Sequence, residues 1–96
     1  MVEKTIIIKN KSGLHARPAA LFVQIANKYD SDISVTKGRQ RVNGKSIMGI
    51  LMLAAEKGET ITVNADGYDA LDAVKELSDL LISDTDLKFT RKGKIK

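Results

Sequence analysis

The chain has no cysteine and no tryptophan, a single proline and a single histidine, and only two tyrosines and two phenylalanines among its 96 residues. Without cysteine there is no disulfide framework, no thiolate nucleophile and no zinc ribbon, so stability rests on packing. One histidine also supplies neither a metal site nor a relay of nucleophile and base, which argues against a self-sufficient hydrolase. So few aromatic rings leave little for a base-stacking platform. No apolar run approaches the roughly 20 residues that cross a bilayer, and Met1-Val2-Glu3-Lys4 has an acid where a leader would be basic. The expectation is a cytoplasmic protein with no membrane insertion and no cofactor.

What is present fits one compact domain. An apolar fraction of 43% with 29% charged residues is globular in balance, and this length holds one core. The net charge of +4 is unevenly placed: Lys88, Arg91, Lys92, Lys94 and Lys96 crowd the last nine residues, whereas residues 1–87 hold 11 basic and 12 acidic side chains, a net of −1. A nucleic-acid footprint would therefore belong to a tail alone. The expected division is a domain over 1–87 and a basic tail over 88–96, with no direct nucleic-acid role and a monomeric state.

Periodicity supplies the elements. The β-branched stretch 4–9 reads as a strand, closed by Asn10-Lys11-Ser12-Gly13. Ala19, Phe22, Val23 and Ala26 fall at helical spacing, and Pro18 suits a first helical turn, which pins the helix start near His15 or Ala16 and its end near Tyr29. Alternation over 32–37, a turn through Gly38 and a strand over 40–43 make a hairpin. Ser46 stands as N-cap of a short apolar helix over 47–55, followed by a strand over 60–65. Asp69 is placed to cap a last helix whose buried stripe is Ala70, Ala73, Val74, Leu77, Leu80 and Leu81. Residues 87–90 read as an optional final strand. The order β-α-β-β-α-β-α, with each strand apolar on one face, predicts an α+β two-layer open-faced sandwich.

The chemistry concentrates on Gly13-Leu14-His15-Ala16-Arg17-Pro18. This puts an imidazole where a loop enters a helix, among backbone N–H groups without intrahelical acceptors and at the positive end of the helix dipole. Imidazole has an ordinary pKa of about 6.5, so near neutrality it offers a ring lone pair for attack on phosphorus without a general base. Arg17 can fork onto phosphate oxygens and offset charge during transfer. A blander account makes His15 an N-cap and Arg17 a surface residue, and leaves their pairing unexplained.

The segment from Gly13 to Ala20 resembles the active-site segment of the HPr family, the phosphocarriers of the bacterial phosphoenolpyruvate-dependent sugar phosphotransferase system. A second motif, Lys45-Ser46-Ile47-Met48-Gly49, resembles the regulatory serine segment of the Gram-positive members, and the resemblance covers residues 2–82. It implies that His15 is phosphorylated on Nδ1 by enzyme I and passes the group to the A domains of sugar permeases. Arg17 then assists, and Ser12, Ala16 and Arg17 steady the phosphate. It further implies four antiparallel strands under three helices. Ser46 becomes a substrate of HPr kinase/phosphorylase, and the seryl-phosphorylated form a corepressor of catabolite control protein A. The family's paralogue Crh has glutamine at the active histidine, and this chain has His15.

A phosphate on Ser46 would be tolerated at a helix N-terminus and would act by adding charge beside a docking face. That face is expected to combine Ile47, Met48, Leu51 and Met52, left partly exposed, with Ala16, Ala20 and Gln24, while Ile50 and Leu53 turn inward. Methionines suit a surface that meets several partners. Met52, Ala54 and the continuation into Thr90-Arg91-Lys92-Gly93-Lys94-Ile95-Lys96 depart from the family's usual pattern. The rival reading from another class is a regulatory binding module that works through phospho-Ser46 with His15 unused.

Overall fold

A computed structural model describes residues 1–11 and 13–82. The elements follow in the order β1 (Val2–Ile7), α1 (Ala16–Ala26), β2 (Asp32–Lys37), β3 (Gln40–Asn43), α2 (Ile47–Leu53), β4 (Thr60–Asp66) and α3 (Ala70–Ile82). The strands form one sheet in the order β1-β4-β2-β3, every neighbouring pair antiparallel. The expected α+β open-faced sandwich is the fold observed.

Register follows from which side chains must be buried. Ile6 pairs with Ile61, and Val35 with Val63, so the alternate residues Ile6, Ile33, Val35, Ile61, Val63 and Ala65 all turn to the helix-covered face. The other face stays open and polar, where Thr5 and Thr62 are joined through their hydroxyls and Asn64 donates to Glu3. Phe22 of α1 is fully buried among these residues. Burial of such a side chain contributes about 1.5–3 kcal/mol. All six residues of the expected α3 stripe are buried, together with Ser78.

Element ends differ from the sequence expectation for local reasons. β1 begins two residues earlier because Val2 and Glu3 find partners in Ala65 and Asn64. The first helix stops at Ala26: the Asn27 side chain and backbone N–H both donate to the Val23 carbonyl, and Lys28 and Tyr29 continue in tighter turns. α2 stops at Leu53 because Ala54 adopts left-handed backbone, φ 50°. Asp69 precedes α3 and its carbonyl accepts from Ala73 N–H, but its carboxylate crosses to the N–H groups of Asp30 and Ser31. It therefore anchors the α1–β2 connection rather than capping the helix with its side chain; the Ser31 hydroxyl, which donates to the same carboxylate, holds its carboxyl below the usual range, and the Asp30 and Ser31 amides add to this. Ser12, residues 87–90 and the basic tail lie outside the described residues.

Candidate functional site

The loop between β1 and α1 is fixed by contacts to the segment after α2. Gly13 has φ +63°, a conformation that L side chains avoid, and a Cβ there would lie 2.7 Å from the Ala55 carbonyl oxygen and 2.8 Å from Glu56 Cα. The fully buried Leu14 donates its N–H to Ala55 O at 2.8 Å, and Asn10 Nδ2 donates to Gly13 O at 2.8 Å. Gly13-Leu14 is thus a glycine that permits close approach followed by an apolar anchor.

That anchor sets His15 at the N-cap of α1. Its backbone is extended (φ −97°, ψ −161°), its carbonyl accepts from Ala19 N–H at 2.7 Å, and its ring makes no capping hydrogen bond. Pro18 has no N–H, so the amides of Ala16 and Arg17 are the first-turn donors that no intrahelical carbonyl meets. The His15 side chain is 54% exposed. Arg17 and Ala16 are exposed beside it. A nucleophilic ring, two first-turn amides without an intrahelical acceptor and a guanidinium therefore share one helix end, an arrangement able to hold a tetrahedral anion.

Glu56, which the sequence reading did not single out, brings its carboxylate within 3.9 Å of His15 Nε2. Forty-one positions separate the two residues, and no local pattern marks the contact; it follows from how the segment after α2 meets Gly13. Glu56 N–H donates to the Glu59 carboxylate at 2.7 Å, and this bond is the largest influence holding the Glu59 carboxyl below the usual range.

Ser46 caps α2 as expected, its Oγ accepting from Gly49 N–H at 3.0 Å. The helix turns Ile50 and Leu53 into the core and leaves Ile47, Met48, Leu51 and Met52 accessible, Met48 and Met52 at 62% and 64%. α1 packs against α2 and keeps Ala16, Ala20 and Gln24 exposed. Among the described residues no group of three or more histidines and acids could hold a metal ion, and no helix is long and apolar enough to cross a membrane.

Fold and site together define a small open-faced α+β module that carries an accessible histidine at a helix N-terminus. The family model described as "PTS HPr component phosphorylation site" matches residues 2–83, and the chain belongs to this family. It is 49% identical over 81 residues to the phosphocarrier protein HPr of Neisseria meningitidis serogroup A, covering 84% of this chain and 91% of that one. It is 51% identical over 77 residues to the HPr-like protein Crh of Halalkalibacterium halodurans, covering 80% and 92%. Among solved structures, the HPr-C-His crystal structure from Thermoanaerobacter tengcongensis is 54% identical and superposes with a TM-score of 0.82 over 84% of this chain and 91% of that one.

Proposed function

We propose that His15 is the phosphoacceptor: it takes a phosphoryl group from enzyme I and hands it to the A domains of sugar permeases. The observation that carries this is the exposed His15 ring at the N-terminus of α1, beside Arg17 and the first-turn amides of Ala16 and Arg17, which have no intrahelical acceptor. Transfer is an exchange of phosphorus between nucleophiles, so the protein needs neither a cofactor nor a substrate pocket and acts as a carrier rather than a self-sufficient enzyme. Arg17 offsets charge on the moving group, with Ala16 and Ser12 as further phosphate contacts. The docking surface is Ala16, Ala20 and Gln24 of α1 with Ile47, Met48, Leu51 and Met52 of α2.

In the same reading Ser46 is a regulatory phosphorylation site for an HPr kinase/phosphorylase, and its phosphorylated form engages catabolite control protein A. Its place at the head of the helix that carries the apolar patch supports this, because a phosphate there stands next to whatever docks. Residues 1–87 form the carrier domain and 88–96 a basic tail, in a cytoplasmic monomer. The similarity to Crh favours one rival, a purely regulatory module acting through Ser46; His15 and its surroundings favour the carrier.

Incubation with phosphoenolpyruvate and enzyme I, read by intact mass, separates the two. One acid-labile phosphate, absent from His15→Ala, is expected. No phosphate in the presence of a competent enzyme I would overturn the carrier reading in favour of the regulatory one.

A further inference from the structure

We propose that Glu56 is a positioning residue for His15, holding the ring from its Nε2 side so that Nδ1 is left to carry the phosphoryl group. The inference rests on the reading of His15 as the phosphoacceptor and goes beyond it in assigning a role to a residue 41 positions away.

Both ends of the contact are mounted on one braced unit. The Glu56 backbone is held by its N–H bond to Glu59, and Glu59 is itself paired with Lys37 at 3.4 Å. Lys37 Nζ also donates to Ala54 O at 3.4 Å, so β2 supports the segment from both sides. The neighbouring Ala55 carbonyl accepts Leu14 N–H, and Gly13 lies against Glu56 Cα too closely for a side chain to intervene. With both backbones tied, the carboxylate reaches Nε2 at 3.9 Å while the His15 and Glu56 side chains remain 54% and 66% exposed. A partner can therefore approach the ring without displacing the support.

The chemistry follows from which nitrogen the carboxylate faces. A carboxylate has no proton to give and attracts the tautomer with hydrogen on Nε2, so the lone pair lies on Nδ1. When that lone pair forms a bond to phosphorus, the bond from phosphorus to the phosphorylated donor breaks and its electrons leave with the donor. Positive charge then spreads over the ring, Nε2 keeps its proton, and the Glu56 carboxylate faces that charge. When the group departs, the electrons of the P–N bond return to Nδ1 and the ring is again neutral with hydrogen on Nε2. Glu56 thus offsets the charge of the phosphorylated ring from the side away from phosphorus.

The test uses the full chain and Glu56→Gln, which keeps the shape of the side chain and removes its charge. Nitrogen-15 spectra of the unphosphorylated protein read the tautomer directly, without any partner. The ratio of Nε2–H to Nδ1–H ring is expected to fall about two- to fivefold, the size expected of an exposed charge contact. After phosphorylation and removal of enzyme I, spontaneous loss of phosphate at neutral pH is expected to slow by a similar factor of about two to five. An unchanged tautomer ratio or an unchanged lifetime of the phosphoprotein overturns the role of Glu56. Absence of phosphate on His15 in the unsubstituted chain would instead overturn the underlying reading, and the tautomer ratio would still decide whether Glu56 orients the ring.

Discussion

Leu14 donates its backbone N–H to the carbonyl of Ala55 at 2.8 Å, and this bond joins the start of α1 to the segment that follows α2. The candidate site is therefore held by two distant stretches of chain, and its geometry depends on the glycine that lets them meet. Gly13→Ala puts a methyl group against the Ala55 carbonyl and Glu56 Cα and forces positive φ on an L residue. A loss of about 1–3 kcal/mol in unfolding free energy is expected, with slower phosphorylation from displacement of His15. Denaturant unfolding and phosphorylation kinetics check both; a variant as stable as the parent would show that the loop tolerates separation.

A second tie lies on the far side of α1. The Tyr29 hydroxyl donates to the Glu76 carboxylate, and Lys28 pairs with the same group at 2.9 Å. The hydrogen bond to Glu76, before burial and nearby acids, pushes the Tyr29 phenol up to about 12. A phenol whose folded value is raised contributes stability that is fully present below its unfolded value near 10 and is lost as pH rises through about 12. Tyr29→Phe is expected to lower stability by about 1 kcal/mol at pH 8 and to converge with the parent as pH approaches 12. Equal stability of the two at pH 8 would show that the bond contributes nothing net.

These ties mark the boundary of what was legible in the sequence. Element order, the α3 stripe and the inward turn of Ile50 and Leu53 follow from periodicity, because the same alternation that places apolar atoms in the core also spaces them along the chain. The position of His15 was legible from Pro18, whose missing N–H confines it to a first helical turn. Glu56 was not, since its nearness to His15 depends on Ala54 turning the chain with left-handed backbone, and alanine is not a residue that signals such a turn. Asp69 misled for a related reason: the residue type suits an N-cap, and only the return of the α1–β2 connection gives its carboxylate better donors.

His15 and Arg17 differ in what their removal should cost. Both are exposed, so neither substitution opens a cavity. His15→Ala is expected to abolish acid-labile phosphate while leaving the thermal transition within experimental spread. Arg17→Ala should keep the acceptor and lose the charge that offsets the moving phosphoryl group, slowing transfer by about ten- to a hundredfold. Rapid-quench measurement of phosphorylation reads the difference, and a wild-type rate for Arg17→Ala would remove the guanidinium from the reaction.

Ser46 separates a structural role from a regulatory one because two substitutions pull the roles apart. Its Oγ accepts the Gly49 N–H, so Ser46→Ala leaves that donor without its cap and is expected to cost about 0.5–2 kcal/mol in stability. Aspartate can also cap, and its charge is favourable at a helix N-terminus, so Ser46→Asp should match the parent in stability. The same charge stands beside Ile47 and Met48, at 39% and 62% exposure, where it would oppose docking of enzyme I. Ser46→Asp should therefore show a raised KM for phosphorylation by enzyme I with an unaltered melting temperature. Ser46→Ala should show the reverse, a lowered melting temperature with an unaltered KM. If Ser46→Asp were phosphorylated as readily as the parent, the docking face would have to lie away from the head of α2.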